Sequence, residues 1–303
     1  MTAGGGDEPA SPGGHGRLYV VATPIGNLAD ITLRALDVLR SVAVIAAEDT
    51  RLTRRLLDRH RVETRSVSYH ARSGPGRTRE LLERLRAGDD VALVTDAGTP
   101  GVSDPGEELV AAWSAEGGGV IPIPGPSAVL AAVAASGIAG PRWSFEGFLP
   151  RSGRDRLERL ARIGADPRGT ILYEAPGRVA ATLGDLAAAC GAERRAAVCR
   201  ELTKVHEEIV RAALGELADA ARAGELTLRG EFAIVGGATD RPTPGARSSG
   251  SPDFGAALAE VERRAAAGTP RGEAARQVAA ETGLSRRRLY QAPDQAPDQA
   301  PDR

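Results

Sequence analysis

Four short apolar runs, each ending in a loop rich in turn formers, constrain this chain more than any other feature of it. Residues 18–22 (Leu-Tyr-Val-Val-Ala) lead into Thr23-Pro-Ile-Gly-Asn27, and residues 42–46 (Val-Ala-Val-Ile-Ala) lead to Glu48-Asp-Thr-Arg51. Residues 91–95 (Val-Ala-Leu-Val-Thr) lead into Asp96-Ala-Gly-Thr-Pro-Gly-Val-Ser-Asp104, and residues 120–124 into Gly125-Pro-Ser127. Runs this short and this apolar predict strands buried on both faces, the habit of parallel sheet. Amphipathic stretches at residues 30–39, 53–60, 78–87 and 105–114 predict helices between them. A further short strand is expected at residues 66–69 and an apolar helix at 128–135. Such alternation predicts an α/β lobe with a mostly parallel sheet. All four loops then leave the carboxyl edge of one sheet, where open α/β sheets bind ligands. Glycine and proline there bring backbone close to a ligand and hold it stiffly.

A change of register follows at residues 141–153. The boundary between lobes is drawn at Ser127, giving an N-terminal α/β lobe over residues 17–127 and a second over 128–239. In the second, helices are expected at 154–163, 179–190 and 214–223, and strands at 170–173, 196–200 and 231–236, forming a mixed sheet. Residues 240–253, with Thr239, are Pro/Gly/Ser-rich and read as a linker. Residues 254–290 read as a small helical unit. Residues 1–16 and the Gln-Ala-Pro-Asp repeats over 291–303 are expected to be disordered.

Composition narrows the function by exclusion. The formal net charge is −1, so any surface for nucleic acid has to be local. No stretch approaches the ~18 continuous apolar residues of a membrane span, and the N-terminus lacks the apolar core of a signal peptide. Cys190 and Cys199 have no zinc spacing and make no disulfide framework, which fits a reducing cytoplasm. There is no G-x-G-x-x-G after a strand, no Walker loop and no cluster with metal spacing, so no metal is expected. Lys204 is the only lysine among 39 basic residues. A lysine kept where arginine serves elsewhere suggests a compact charge, or a proton that must leave.

The long motifs then carry a resemblance. Residues 18–28, 30–36, 46–51 and 95–105 are similar to the ribosomal RNA small subunit methyltransferase I family of the tetrapyrrole-methylase superfamily. So are Pro124-Gly-Pro-Ser-Ala128, Phe145-Glu-Gly-Phe-Leu-Pro150, Tyr173-Glu-Ala-Pro176 and Arg200-Glu-Leu-Thr-Lys204. The likeness spans residues 17–237. It implies two α/β lobes with S-adenosylmethionine in the cleft between them, a homodimer, and 2′-O-methylation of a cytidine ribose in the decoding region of 16S ribosomal RNA, free or in the small ribosomal subunit. The chain departs from the family pattern at Tyr69-His-Ala-Arg-Ser-Gly74, where a His/Asn-rich segment is usual, and at Pro176-Gly-Arg178, where Pro-His-Arg is usual.

Residue by residue, the resemblance assigns Pro24, Gly26, Asp96, Gly98, Thr99, Ser103 and Ser127 to the cofactor from the first lobe. It assigns Tyr173, Leu202 and Ala233 from the second. Methyl transfer to a hydroxyl needs in-line positioning and an outlet for a proton. Lys204, beside Glu201 and His206, is the first candidate, as a base if its pKa is lowered beside a sulfonium, or as a phosphate holder. Glu48 and Asp49 are candidates to orient the hydroxyl, and Arg51 and Arg178 to meet RNA phosphates. In the C-terminal unit, Ala275, Val278 and Ala279 followed by Gly283-Leu-Ser285 have helix-turn-helix spacing, and Arg286, Arg287 and Arg288 open the second helix toward phosphates. Two other readings stay open: a small-molecule methylase of tetrapyrrole type, and a nucleic-acid-binding regulator whose lobes sense a metabolite. Methyl transfer to RNA separates the first reading from both.

Overall fold

A computed structural model describes residues 14–238, 254–282 and 284–291. It divides into two compact units, Met1–Asp240 and Arg241–Arg303. The linker lies outside the described residues, as do residues 1–13 of the N-terminal extension and residues 292–303 of the C-terminal repeats, whose first residue, Gln291, closes the last helix.

The larger unit opens with a five-stranded sheet: β1 (Leu18–Val21), β2 (Val44–Ala47), β3 (Ser66–Ser68), β4 (Val91–Val94) and β5 (Val120–Ile123), in the order β3-β2-β4-β1-β5. Every pairing in it is parallel. Helices α1 (Leu33–Ser41), α2 (Thr50–Arg59), α3 (Pro75–Arg86) and α4 (Glu107–Ala115) connect the strands. Alternate strand residues supply two cores, as a period of two requires. Tyr19, Val21, Ile45 and Val94 pack with Leu39 and Leu57 on one face. Leu18, Val44 and Leu93 pack with Leu81, Leu109 and Trp113 on the other. Helix starts are written locally. The Thr32 hydroxyl accepts the Ala35 N–H at 3.1 Å, and Pro75 occupies the first turn of α3, where a missing N–H costs nothing. Helices α2 and α3 begin three residues before the hydrophobic pattern, because capping and proline set a start that periodicity does not.

The chain continues through α5 (Ala128–Ser136), β6 (Trp143–Phe148), α6 (Gly153–Ala165), β7 (Gly169–Glu174), α7 (Val179–Cys190), β8 (Arg195–Arg200), β9 (Glu208–Ala213), α8 (Leu214–Ala223) and β10 (Phe232–Gly236). These strands form a second sheet in the order β6-β7-β10-β8-β9. β6 lies parallel to β7, and the other pairings are antiparallel. One face packs on α6, α7 and α8 through Leu160, Leu183 and Leu217. The other carries α5 through Val129 and Ala132, and also takes Ile25 from the β1 loop of the first sheet. Strands β6 and β9 are absent from the sequence reading. Both are half-exposed edge strands, β6 broken by Glu146 and Gly147 and β9 by Arg211, so neither makes an apolar run.

The smaller unit consists, among the described residues, of α9 (Phe254–Ala266), α10 (Arg271–Thr282) and α11 (Arg286–Gln291). Ala257, Val261, Ala274, Ala275, Val278 and Leu289 bury one another as its core. Arg286, Arg287 and Arg288 are exposed in the first turn of α11.

Candidate functional site

Hydrogen bonds stitch three of the four predicted loops together at the carboxyl edge of the first sheet. Thr23 and Gly98 exchange backbone bonds at 2.8 and 3.0 Å, and the Thr23 hydroxyl donates to the Thr95 carbonyl at 2.9 Å. The Thr99 hydroxyl donates to the Pro126 carbonyl at 3.3 Å. The β4 loop therefore ties to both the β1 and β5 loops. It turns at Gly98 (φ +83°), a left-handed conformation that glycine adopts at no steric cost.

The β2 loop joins through carboxylates. The Asp49 N–H donates to the Asp96 carboxylate at 2.9 Å, and the Asp96 N–H donates to the Glu48 carboxylate at 3.2 Å. Burial raises the pKa of Glu48 above its ordinary value, and the charges of Asp96 and Asp104 raise it further. Burial also raises Asp96 and Asp104. The loops thus gather negative charge that is short of solvation. Among the described residues no group of His, Cys, Asp and Glu is arranged to hold a metal ion.

The second sheet faces this edge with three side chains in a row. Ala233 on the middle strand pairs with Tyr173 on one side and Cys199 on the other. Directly opposed residues share a face, so all three look the same way. Burial pushes the Tyr173 phenol up to about 12 and the Cys199 thiol up to about 11. Between the lobes lies a cavity of about 360 Å³. Gly98, Thr99, Ser103, Asp104 and Ser127 line it from the first lobe, and Tyr173, Cys199, Leu202, Glu231 and Ala233 from the second.

Seven of the ten residues assigned to the cofactor by resemblance line this cavity: Gly98, Thr99, Ser103, Ser127, Tyr173, Leu202 and Ala233. Pro24, Gly26 and Asp96 are not in its wall. Asp96 instead bridges the β2 and β4 loops, and Gly26 underlies Lys204. Cys199, Glu231 and Phe148, to which the sequence reading gave no role, also line it, as does Asp104 at the end of the β4 loop. Alternation along β8 puts Cys199 on the same face as Ala197, in the cluster with Ile25 and Ala233; Glu231 is reached only through the pairing of β10 with β8.

Lys204 sits on the loop between β8 and β9, whose backbone takes left-handed φ values at Glu201 (+51°) and Thr203 (+68°). Such values in residues other than glycine persist only where surroundings over-determine them. Its Nζ donates to Glu201 at 2.9 Å and to Glu231 at 2.9 Å. Its stem lies against Gly26 so closely that a Cβ there would fall 2.5 Å from the lysine Cγ. Burial acts to lower the Lys204 pKa, but the two carboxylates outweigh it and raise the net value. The two carboxylates thus hold Lys204 as a cation; the lowered pKa expected of a lysine base is tied to a neighbouring sulfonium. Hydrogen bonds from Lys204 and from the Glu231 N–H lower the pKa of Glu201.

Two further residues singled out in the sequence are bonded within the protein. Arg178 donates to the Leu149 carbonyl at 2.8 Å and pairs with buried Glu174 at 3.3 Å. Asp49 caps α2 and pairs with Arg51 at 2.8 Å. The side-chain bond from Arg51 holds the Asp49 carboxyl down at about 2. Asp49 is thus a cap, and the exposed Arg51 folds back on it. At Gly177, where the family carries histidine, a Cβ would meet nothing within 4 Å, so the missing ring leaves no packing defect.

Residues 17–218 match the family of Tetrapyrrole (Corrin/Porphyrin) Methylases. The chain is 48% identical over 277 residues to the ribosomal RNA small subunit methyltransferase I of Synechocystis sp., covering 91% of this chain and 96% of that one. It is 43% identical over 273 residues to the protein of the same name from Mesorhizobium japonicum, covering 90% of each chain. Among solved structures, a cobalt precorrin-4 methyltransferase superposes with a TM-score of 0.55 at 20% identity, over 73% of this chain and 94% of that one. The uroporphyrin-III C-methyl transferase of Thermus thermophilus, solved with S-adenosyl homocysteine, superposes with a TM-score of 0.52 at 22% identity, over 73% and 97%. No helix among the described residues is long and apolar enough to cross a membrane. The chain belongs to the ribosomal RNA small subunit methyltransferase I family, within the tetrapyrrole methylases.

Proposed function

We propose that this protein transfers a methyl group from S-adenosylmethionine to the ribose 2′-hydroxyl of a cytidine in the decoding region of 16S ribosomal RNA, as a cytoplasmic homodimer. The observation that carries the reading is the cavity between the lobes, where the hydroxyls of Thr99, Ser103 and Ser127 and the carboxylate of Asp104 face Tyr173, Leu202, Phe232 and Ala233. That donor set fits S-adenosylmethionine. Thr99, Ser103 and Ser127 offer hydroxyls and backbone groups to its polar parts. Tyr173, Leu202 and Ala233 offer a flat apolar wall. Under-solvated Asp104, with Asp96 behind it, balances positive charge. When bound, S-adenosylmethionine supplies an electrophilic methyl group.

The chain's own residues then divide the work. Lys204, fixed by Glu201 and Glu231, holds a substrate phosphate at the cleft as a cation. Glu48, its pKa raised by burial, is better suited than a lysine to take the hydroxyl proton. Leu202 and Glu231 tie the lysine loop to the cavity wall. The exposed Arg286, Arg287 and Arg288 of the smaller unit add contacts to RNA phosphates. Mapping ribose methylation in 16S ribosomal RNA with and without the gene tests the reading: one cytidine loses its 2′-O-methyl group when the gene is removed. An unchanged map overturns it.

The carboxylates also make donor binding depend on pH. With their pKa values raised, Glu48, Asp96 and Asp104 hold more protons in the free protein than ordinary carboxylates do just above the usual titration range. A bound cation favours their ionised forms and lowers those values. Binding therefore releases protons, and donor affinity falls as the pH falls through that window. Calorimetry in two buffers of different ionisation heat reads the released protons. Identical heats in both buffers would contradict the linkage.

A further inference from the structure

We infer that Phe148 is the surface on which the target nucleobase stacks while its ribose is presented to the cleft. The inference rests on the proposed transfer to an RNA ribose and names how the nucleotide is held.

Phe148 closes β6 and lines the cavity, yet it is 56% exposed. Burying such a side chain is worth roughly 1.5–3 kcal/mol, so leaving it in water forgoes stability. Its orientation is built. Phe145 pairs with Ile171 and Phe148 with Tyr173, so three steps on β6 match two on β7. The extra residue is accommodated beside Gly147 at φ +61°, which a side chain there would strain. Without it, Phe145 and Phe148 would face opposite sides of the sheet. With it, both rings meet Tyr173 edge-on, at 4.9 and 5.7 Å between centroids.

The segment behind the ring is pinned. Leu149 is buried, and its carbonyl and that of Pro150 accept from Arg178 at 2.8 and 3.2 Å. Arg156 also donates to the Pro150 carbonyl at 3.0 Å. Arg156 is itself fixed by Thr182 and Asp185, and Arg178 by Glu174. An exposed ring on a rigid bulge, backed by two arginines, is a prepared surface rather than a loose side chain.

The cavity decides what lies on it. A volume of about 360 Å³ is at the lower end for a single small ligand. With the donor inside, a nucleobase has no room there and must lie at the rim, where Phe148 is exposed. A nucleotide taken out of its helix needs a new stacking partner. In a chain with four Phe, four Tyr and two Trp, the cavity lining takes Phe148, Phe232 and Tyr173.

Phe148→Ala and Phe148→Trp test this in the full-length protein. Methyl transfer is measured against small ribosomal subunits lacking the modification, and donor affinity by calorimetry. Stacking is worth roughly 1–3 kcal/mol per base, which converts to an increase of about 5- to 150-fold in KM for the subunit in Phe148→Ala. Donor Kd stays within about threefold, and Phe148→Trp restores KM because a larger ring stacks as well. A weakened donor Kd with unchanged KM would assign the ring to the donor's adenine and overturn the inference. So would unchanged KM in Phe148→Ala, or a Trp variant as impaired as Ala. If the wild-type protein transfers no methyl group to the subunit, the proposed reaction falls and this inference with it.

Discussion

Glu174→Ala lowers the free energy of unfolding by about 3–5 kcal/mol, the range for stripping one partner from a buried ionic network. The Glu174 side chain is fully buried. Its carboxylate accepts the Thr182 hydroxyl at 2.6 Å and the Ala175 N–H at 2.9 Å, and pairs with Arg178. Thr182 in turn accepts from Arg156, so one carboxylate anchors two guanidinium groups that grip the Leu149–Pro150 carbonyls. Removing it leaves a buried hydroxyl and a part-buried N–H without acceptors, each costing ~1–3 kcal/mol. Glu174→Gln keeps an acceptor and the volume, and costs less, about 1–2 kcal/mol. Urea denaturation of both variants measures the difference. A Glu174→Ala protein within ~1 kcal/mol of wild type would remove the network from the account of the fold, since core truncations alone exceed that.

Lys204→Met reduces methyl transfer by about 10²–10³-fold with donor affinity held within about threefold, as expected for loss of a fixed charge acting on the substrate. Lys204→Arg loses activity comparably. The ammonium sits as one point between two carboxylates, and its stem lies packed directly against Gly26. A planar fork cannot reproduce that geometry. Because the Lys204 pKa is raised, the acid limb of the rate profile comes from carboxylates and survives in both variants at reduced amplitude. Single-turnover transfer to unmodified subunits, with donor affinity measured alongside, checks the prediction. Wild-type turnover in either variant would sink it.

The first lobe was legible because each of its central strands is buried on both faces and so is written as an unbroken apolar run. Val91-Ala-Leu-Val is bounded by a glycine behind and the Gly98 loop ahead, and it is a strand flanked by two others. The edge strand Glu208–Ala213 is different. Its outward residues face water, and only Ile209 and Val210 are β-branched. The surroundings of Lys204 were only half legible for another reason. Glu201 lies three residues away, but Glu231 lies 27 away and arrives only because β10 pairs with β8. Glu207, also three residues from Lys204, accepts the Thr203 N–H instead. The partner of Arg178 was hidden in the same way, because a lone arginine in a loop looks solvated until the glutamate four residues earlier is seen to be buried beside it.

The row of Tyr173, Ala233 and Cys199 has a consequence for which ligands the protein tolerates. Its middle member belongs to a strand hydrogen-bonded on both sides, so the floor beneath a bound molecule cannot recede as a loop would. The depth available is set by the size of a methyl and a thiol. Discrimination against enlarged donors is thus a matter of stiffness, and a single truncated or swollen side chain resizes the chamber without disturbing the loops that hold charge.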